Sequence, residues 1–439
     1  MHTLAQLRSG ELAGLKRLDL SEALAEFPRE IFQLADSLEI LNLSDNALSE
    51  LPPDLHRLKH LRALFCSNNR FTELPTSLGE CQQLSMVVFK TNRIEQIPAA
   101  ALPPNLRWLT LTDNRIETLP EALGECRDLQ KLLLAGNRLR NLPSSLASCQ
   151  RLELLRIASN HLSELPDWLF ELPSLAWLGY AGNPCAQPTA SFDNEPLADI
   201  DWSQLRVTHQ LGEGASGVIR QADWHRSHQP PLPVALKLYK GAITSDGSPQ
   251  HEMAASIAAG HHPNLIRIQG RLKGHPEESD GLVMALIDQA FSNLAEPPSL
   301  ASCTRDSYAP HRRFSVASAL NIAAALASAG AHLHARGICH GDFYAHNVLV
   351  NRQGDCLLGD FGAASFHPVD DSARSRALQK IEVRAFGILF GELLERLDNA
   401  PSADELRPWH ALQQRCVQAD IHARPDFGHI LQQFANPHA

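Results

Sequence analysis

The sequence lacks the features of an exported, membrane-spanning or polyanion-binding chain. Residues 1–15 contain no charged leader followed by an apolar core, so we expect no signal peptide. No run of about 18 apolar residues occurs. The longest candidate, residues 319–335, is alanine-rich and is interpreted as a buried helix. Acidic residues outnumber basic ones by 49 to 39, whereas phosphate backbones require basic patches. We therefore expect a cytoplasmic protein with no membrane span and no nucleic-acid partner.

Paired cysteines are also lacking. The nine cysteines include no C-x-x-C pair, which argues against a zinc site, and without a signal peptide they are expected to be reduced thiols. Cys81, Cys126 and Cys149 recur at equivalent positions of a repeat and are interpreted as small core residues. With 439 residues, 44% hydrophobic and 20% charged, the chain is typical of a globular protein of two or three domains.

A repeat fills the first half of the chain. The pattern L-x-x-L-x-L-x-x-N-x-L returns every 23 residues, once after 22, and an imperfect copy precedes it at Leu15. It resembles the leucine-rich repeat, in which each copy adds one coil to a solenoid. Leu38, Leu41 and Leu43 are predicted to point into the core. A ladder of asparagines is predicted to bond the backbone of neighbouring coils: Asn46, Asn69, Asn92, Asn114, Asn137, Asn160 and Asn183.

The concave strand face of this solenoid is the expected binding surface. Its outward positions form two largely apolar columns, and such columns often mark a protein-binding surface. The alternative is that they pack on one another or on the second domain. The columns are Ile40, Met86, Trp108, Leu154 and Trp177, followed by Phe65, Val88, Leu133 and Arg156.

The period ends in a segment rich in proline. We predict a repeat domain over residues 1–184, a linker over 185–202 and a second domain over 203–439. The second domain opens with LGEGASGVIRQA (211–222), whose glycines lie between two strand-like runs. A dinucleotide-binding fold would continue into a helix, whereas this stretch continues as a strand. The glycines are therefore expected in a hairpin, where their N–H groups can approach phosphates.

Four further motifs follow in order. PVALKLYK (233–240) is a strand containing Lys237, and Glu252 opens a helical pattern after it. The stretch HGDFYAHN (340–347) contains Asp342 and Asn347, and CLLGDFGAAS (356–365) contains Asp360. In this order the elements resemble the protein-kinase-like fold over residues 203–436. The expected architecture is an α/β leucine-rich-repeat solenoid followed by an α+β two-lobed protein-kinase-like domain.

The resemblance implies ATP and Mg²⁺ as cofactors and assigns roles to the motifs. Asp342 would accept the proton of the acceptor hydroxyl, and Lys237, paired with Glu252, would hold the phosphates. Asn347 and Asp360 would hold magnesium. The remaining nucleotide-binding positions would be Gly212, Gly214, Gly217, Val218, Ala235 and Met284.

Two C-terminal stretches favour a protein kinase over a small-molecule phosphotransferase. Residues 381–397 resemble the D-V-Y-S-F-G helix, with Glu382 in place of the Asp that bonds the catalytic-loop backbone. Residues 415–427 resemble the R-P-x-F region, with Arg424 as its arginine. The chain resembles bacterial-type leucine-rich-repeat protein kinases, closest to the tyrosine-kinase-like branch.

The sequence also departs from that family. Gly341 replaces the Arg that would pair with a phosphorylated activation loop. No A-P-E motif is found, so the partner of Arg424 is open. Tyr344 and His346 match neither the Ser/Thr nor the Tyr pattern, and Ser/Thr is preferred only as the commoner class. The rival hypotheses are a small-molecule phosphotransferase, and a scaffold whose kinase domain only binds nucleotide.

Overall fold

The computed structural model describes residues 2–186, 197–214, 216–241, 243–244, 246–370, 372–398 and 402–436. The chain divides into two compact units. The first is Met1–Leu175 with Asn183–Cys185, and the second is Ala176–Gly182 with Ala186–Ala439. The repeat pattern assigned residues 176–182 to the first domain, whereas their contacts place them in the second unit.

The first unit repeats one structural element along the chain. Each copy contributes a three-residue strand, followed by one turn of 3-10 helix, and each strand pairs in parallel with the next. A short helix, α1 (Leu4–Ser9), precedes them. The strands are β1 (Arg17–Asp19), β2 (Ile40–Asn42), β3 (Ala63–Phe65), β4 (Met86–Val88), β5 (Trp108–Thr110), β6 (Lys131–Leu133) and β7 (Leu154–Arg156).

The core and the asparagine ladder of this unit confirm the repeat interpretation. Leu38, Leu41 and Leu43 have no exposed surface. The Asn137 amide donates to the carbonyls of Leu111 and Leu134, both at 2.9 Å, and accepts from the Ile116 N–H at 3.1 Å. One side chain thus pairs backbone groups of two coils that burial would otherwise leave unsatisfied.

The two concave columns are less exposed than predicted. Met86, Leu133, Leu154, Arg156 and Trp177 are buried. The remaining members are half-buried: Ile40, Phe65, Val88 and Trp108.

The second unit contains β8 (Trp177–Gly179) and a six-stranded sheet. The sheet order is β10, β11, β12, β14, β13, β9, and β9 is parallel to β13. Residues 187–196 of the predicted linker lie outside the described residues, and its end includes β9, so the bounds of the linker stay a prediction. The strands are β9 (Ala198–Asp201), β10 (Leu205–Glu213), β11 (Gly217–Trp224), β12 (Leu232–Tyr239), β13 (Ile268–Lys273) and β14 (Gly281–Ala285).

The described part of the second unit also contains five α-helices. They are α2 (Pro249–Ala259), α3 (Val316–Ala335), α4 (Ala373–Leu394), α5 (Ala403–Val417) and α6 (Phe427–Ala435). Short strands complete it: β15 (Ser292–Asn293), β16 (Ile338–Cys339), β17 (Val348–Val350), β18 (Cys356–Leu358) and β19 (Ser365–Phe366). Among the described helices, α3 alone is long and apolar enough to cross a membrane, which is a weak indication because buried core helices pass the same test.

Candidate active site

The glycine-rich hairpin is formed by β10 and β11, as the sequence predicts. The Gly214 N–H donates to the Gly217 carbonyl at 2.9 Å and closes the turn. A Cβ on Gly217 would lie 2.3 Å from the Leu238 carbonyl oxygen, so the neighbouring strand β12 requires glycine there. Side chains at Gly212 or Gly214 would meet nothing within 4 Å. The hairpin backbone therefore faces open space that a phosphate chain could fill.

A buried ion pair joins the sheet to α2. Lys237, on β12, donates to Glu252, in the first turn of α2, and the two side chains are 13% and 3% exposed. Burial raises the pKa of the Glu252 carboxyl against the opposing effect of Lys237, and the charge of Asp360 adds to the rise. The predicted pairing of Lys237 with Glu252 is confirmed.

The loop 340–347 holds its acid and its amide together. The Asn347 Nδ2 donates to the Asp342 Oδ2 at 2.8 Å and to the Asp342 carbonyl at 3.0 Å. This bond uses the amide nitrogen, which leaves the amide oxygen as the atom that could bind a metal. Asp342 is half-buried.

A hairpin brings Asp360 to the same place. Val348 of β17 pairs with Leu358 of β18, so the residues that flank this hairpin meet. The Gly359 N–H donates to the Asn347 carbonyl at 2.9 Å, and the Gly359 carbonyl lies 2.9 Å from the Nε2 of His340. Asp360 itself is exposed, with a left-handed φ of 55°.

Glu382 binds the backbone of the loop 340–347. Its Oε1 accepts from the Gly341 N–H at 2.7 Å, and its Oε2 lies 2.8 Å from the Nε2 of His334. Burial acts to raise the pKa of Glu382, but the His334 hydrogen bond and the surrounding charges outweigh it and lower the pKa. The predicted bond from Glu382 to the loop backbone is confirmed.

Arg424 binds carbonyl groups. Its Nε donates to the Gln418 carbonyl at 2.9 Å and its guanidinium to the Lys380 carbonyl at 3.1 Å. Burial, with the charge of Arg384, lowers the pKa of Arg424 to about 9. Backbone carbonyls therefore accept hydrogen bonds from Arg424, for which the family pattern would lead one to expect the A-P-E glutamate.

Two contacts of this loop escaped the sequence interpretation. Asp306 accepts from the N–H and the Nδ1 of His346 at 3.0 and 2.7 Å. Trp177 stacks on Tyr344 with ring centroids 4.2 Å apart and planes 5° apart. No local pattern marks either contact, because each joins residues far apart in the chain.

A cavity runs between the glycine hairpin, α2 and the Asp360 turn. Six of the predicted site residues line it: Gly214, Gly217, Lys237, Glu252, Met284 and Asp360. Gly212, Val218, Ala235, Asp342 and Asn347 are not among its lining residues. Ala235 is the register partner of Met284, and Val218 that of Leu238. The nucleotide-binding roles of Val218 and Ala235 stay predictions.

The donor set fits magnesium and a nucleotide. Mg²⁺ prefers oxygen ligands, which the exposed Asp360 carboxylate and the Asn347 amide can supply. Lys237 lines the cavity and could supply the cation for phosphates, and the open glycine hairpin could supply N–H groups.

Comparison with known proteins places these features in families. Residues 205–388 match the family model of protein tyrosine and serine/threonine kinases. Residues 37–58, 82–139 and 127–184 match leucine-rich-repeat models.

Individual relatives resemble the chain only in part. The rat proto-oncogene serine/threonine-protein kinase mos is 26% identical over 175 residues, 38% of this chain and 48% of the relative. An Arabidopsis thaliana leaf rust 10 disease-resistance locus receptor-like protein kinase-like protein is 25% identical over 242 residues, 51% of this chain and 34% of the relative. The chain thus spans less than half the length of these relatives. A leucine-rich-repeat protein of Leptospira interrogans is 28% identical, covering 39% of this chain and 50% of that chain, with a TM-score of 0.34.

Proposed function

The chain combines leucine-rich repeats with a protein kinase domain, and from this premise we propose that it phosphorylates serine or threonine in proteins, using Mg²⁺ and ATP. One observation carries the proposal: Lys237 is paired with Glu252, while Asp342 is bonded to Asn347, whose carbonyl is tied to the residue before Asp360. The preference for serine or threonine rests on the relatives that are named serine/threonine kinases.

Each residue has a role in the transfer. When bound, ATP would supply the phosphoryl group, and Mg²⁺ would supply positive charge that offsets the negative phosphate oxygens. Lys237 orients the phosphates, because Glu252 keeps its ammonium in place. Asp342 would accept a hydrogen bond from the acceptor hydroxyl and take its proton as the oxygen bonds to the γ-phosphorus and ADP leaves. Asn347 fixes the Asp342 carboxylate through its amide nitrogen and, with Asp360, offers oxygen to the metal.

Mass spectrometry of the full chain tests this function. The chain is incubated with Mg²⁺ and γ-labelled ATP, with and without a casein-type substrate. We expect labelled serine or threonine, and at least about a hundredfold slower labelling in Asp342→Asn and Lys237→Met. Lys273→Met, an exposed lysine on β13, is the matched control and should keep the wild-type rate.

Other outcomes would support the rivals. ADP formation that depends on an added small-molecule alcohol, without labelled protein, would indicate a small-molecule phosphotransferase. Nucleotide binding without any transfer would indicate a scaffold. Label on tyrosine would refute the serine or threonine assignment alone.

We also propose that the concave face of the repeats binds a protein. Its support is Trp108, a half-buried member of the first column, whose ring lies 4.0 Å by its centroid from the Lys131 ammonium. Trp108→Glu should reduce capture of the physiological substrate at least about tenfold, since it removes an aromatic anchor. Trp168→Glu, outside the strands, should not.

We place the enzyme in the cytoplasm. All nine cysteines are free thiols, as expected in a reducing compartment. Fractionation of the producing cell, with an antibody against the chain, tests this location; recovery outside the cytoplasm would refute it.

A further inference from the structure

The segment Ala176–Gly182, which includes β8, lies against the catalytic elements of the second unit. The Trp177 ring stacks on Tyr344, and its Nε1 donates to the Phe343 carbonyl at 3.4 Å. The Arg305 guanidinium lies 5.4 Å from the ring centroid of the same indole. Trp177 is 1% exposed, so these contacts account for a fully buried aromatic side chain. The loop residues that it touches directly follow Asp342.

The same segment reaches the strand that follows Asp360. The Tyr180 N–H donates to the Ser365 Oγ at 2.9 Å, and the Tyr180 hydroxyl donates to the Phe366 carbonyl at 2.9 Å. Both groups are buried, with Tyr180 2% and Ser365 0% exposed. Ser365 and Phe366 form β19, which pairs with β16 directly before the catalytic loop.

The far end of the segment touches α2. A Cβ on Gly182 would lie 2.4 Å from the His251 ring, and His251 precedes Glu252. One short segment therefore contacts three elements that carry or adjoin a site residue: Asp342 on the loop, Asp360 shortly before β19 and Glu252 on α2.

Gly341 is matched to this segment. Its φ is +72°, and a Cβ there would lie 2.8 Å from the Leu178 carbonyl and 2.5 Å from the Ala363 carbonyl. The arginine that related kinases carry here could not fit without moving the segment. The arginine that would bind a phosphorylated activation loop is thus replaced by Gly341, which leaves room for the segment Ala176–Gly182.

The serines after Asp360 are occupied by structural bonds. Ser365 and Ser375 are buried, and the Ser375 Oγ donates to the Pro368 carbonyl at 3.1 Å. The Ser372 Oγ caps α4 by accepting from the Ser375 N–H and donates to Asp370. A phosphate on any of them would break a buried contact or a helix cap.

We propose that Trp177 and Tyr180 are positioning residues of the transfer reaction, which hold the catalytic loop, the Asp360 strand and the Glu252 helix in their reacting arrangement. This inference rests on the proposed function. The segment does in this chain what a phosphorylated activation loop does in kinases that carry the arginine. A shift of about 1 Å in a reacting group can lower the rate about a hundredfold, so the loss of one such contact should act mainly on turnover.

Steady-state kinetics of full-length variants test the assignment. Trp177→Ala should lower kcat about ten- to a hundredfold while the KM for ATP changes less than about threefold. Trp177→Phe keeps an aromatic ring on Tyr344 and should restore kcat to within about threefold. Tyr180→Phe removes only the hydroxyl bond to Phe366 and should have an intermediate effect. Trp168→Ala, a half-buried tryptophan of the first unit, is the control and should match the wild type.

Hydrogen exchange gives a readout that does not depend on activity. In Trp177→Ala, peptides covering residues 338–347 and 358–366 should lose protection, whereas peptides of α3 should not. Unchanged kcat and unchanged exchange would overturn the inference, as would equal loss in Trp177→Phe. An increase in the kcat of Trp177→Ala would also overturn the inference, and it would indicate that Trp177 obstructs the acceptor site.

The two hypotheses fail differently. An active wild-type chain with a fully active Trp177→Ala refutes the positioning role and leaves the function intact. An inactive wild-type chain refutes the function, and the positioning role falls with it. A general loss of protection over α3 in Trp177→Ala would identify the tryptophan as a folding residue, which also refutes the positioning role.

Discussion

At position 341, the backbone geometry requires glycine. A left-handed φ costs a non-glycine residue about 1 kcal/mol, and overpacking adds about 1–3 kcal/mol. We predict that Gly341→Ala lowers the unfolding free energy of the second unit by at least about 2 kcal/mol. The matched control is Gly241→Ala, where φ is +73° but no atom lies within 4 Å of the added Cβ. Urea unfolding of both variants measures the difference, and equal losses would show that the carbonyl contacts do not matter.

Glu392 should make stability depend on pH. Burial, with the charge of Asp306, raises the pKa of Glu392 to about 7, although its carboxylate accepts from the Tyr308 hydroxyl at 3.0 Å. A raised pKa means that the folded chain keeps a proton that the unfolded chain releases. The stabilisation is complete below the unfolded pKa of about 4.5 and is lost as pH rises through about 7.

Replacing the Glu392 carboxyl tests the direction in which the unfolding free energy changes with pH. Between pH 5 and 8 the wild-type unfolding free energy should fall by up to about 3 kcal/mol because Glu392 loses its proton. Glu392→Gln should lack this fall, so its unfolding free energy should increase relative to the wild type as pH rises. Glu395→Gln, at an exposed site on the following turn, is the control. Parallel pH profiles for the wild type and Glu392→Gln would contradict the prediction.

At the scale of elements, the asparagine ladder depends on a backbone feature that the repeat pattern did not predict. The residue before each ladder asparagine has a positive φ: Asp45, Asn68, Thr91, Asp113, Gly136, Ser159 and Gly182. This turn aims the asparagine side chain at the two adjacent coils. The pattern predicted the ladder because asparagine recurs in every copy after the imperfect first one, whereas the residues before it are of five different types, which hid the shared conformation.

The ladder should contribute strongly to the stability of the repeats. Asn137→Ala leaves the Leu111 and Leu134 carbonyls and the Ile116 N–H without this partner, in a site where the asparagine is 5% exposed. We expect a loss of about 2–4 kcal/mol in the unfolding free energy and faster hydrogen exchange at Ile116. Asn105→Ala, which removes one exposed bond to the Gln82 carbonyl, should cost less than about 1 kcal/mol. Similar losses in the two variants would refute the ladder's role.

At the scale of the whole molecule, the cysteines report on folding. Eight of the nine are buried, and Cys185 is half-buried. Burial raises the pKa of Cys126 and Cys149 to about 11, so few thiolates form in the folded chain. We predict that a thiol reagent labels about one cysteine per native chain, and nine after denaturation. Rapid native labelling of three or more would show that one of the units opens readily.

The residues of the candidate site could be predicted because each follows from a local requirement. Lys237, Glu252, Asp342, Asn347 and Asp360 occur in an order that few other folds share, and the structure brings Lys237 to Glu252 and Asp342 to Asn347. The grouping of residues 176–182 by contacts could not be predicted in this way. These residues carry the repeat pattern and lie within the leucine-rich-repeat match over 127–184, yet they group with the second unit.

The sequence by itself determined the repeating strands and the apolar interior of the coils, and it predicted the site residues, because these depend on periodicity and on side-chain chemistry. Only the tertiary structure decided that Trp177 stacks on Tyr344, that Asp306 holds His346 and that Arg424 binds carbonyls. The Asp306 pairing spans 40 residues, Arg424 reaches carbonyls 6 and 44 residues away, and the Trp177 contact joins different halves of the chain. Such contacts form when packing excludes water from partners that no local pattern links, and they are the contacts that position the chemistry.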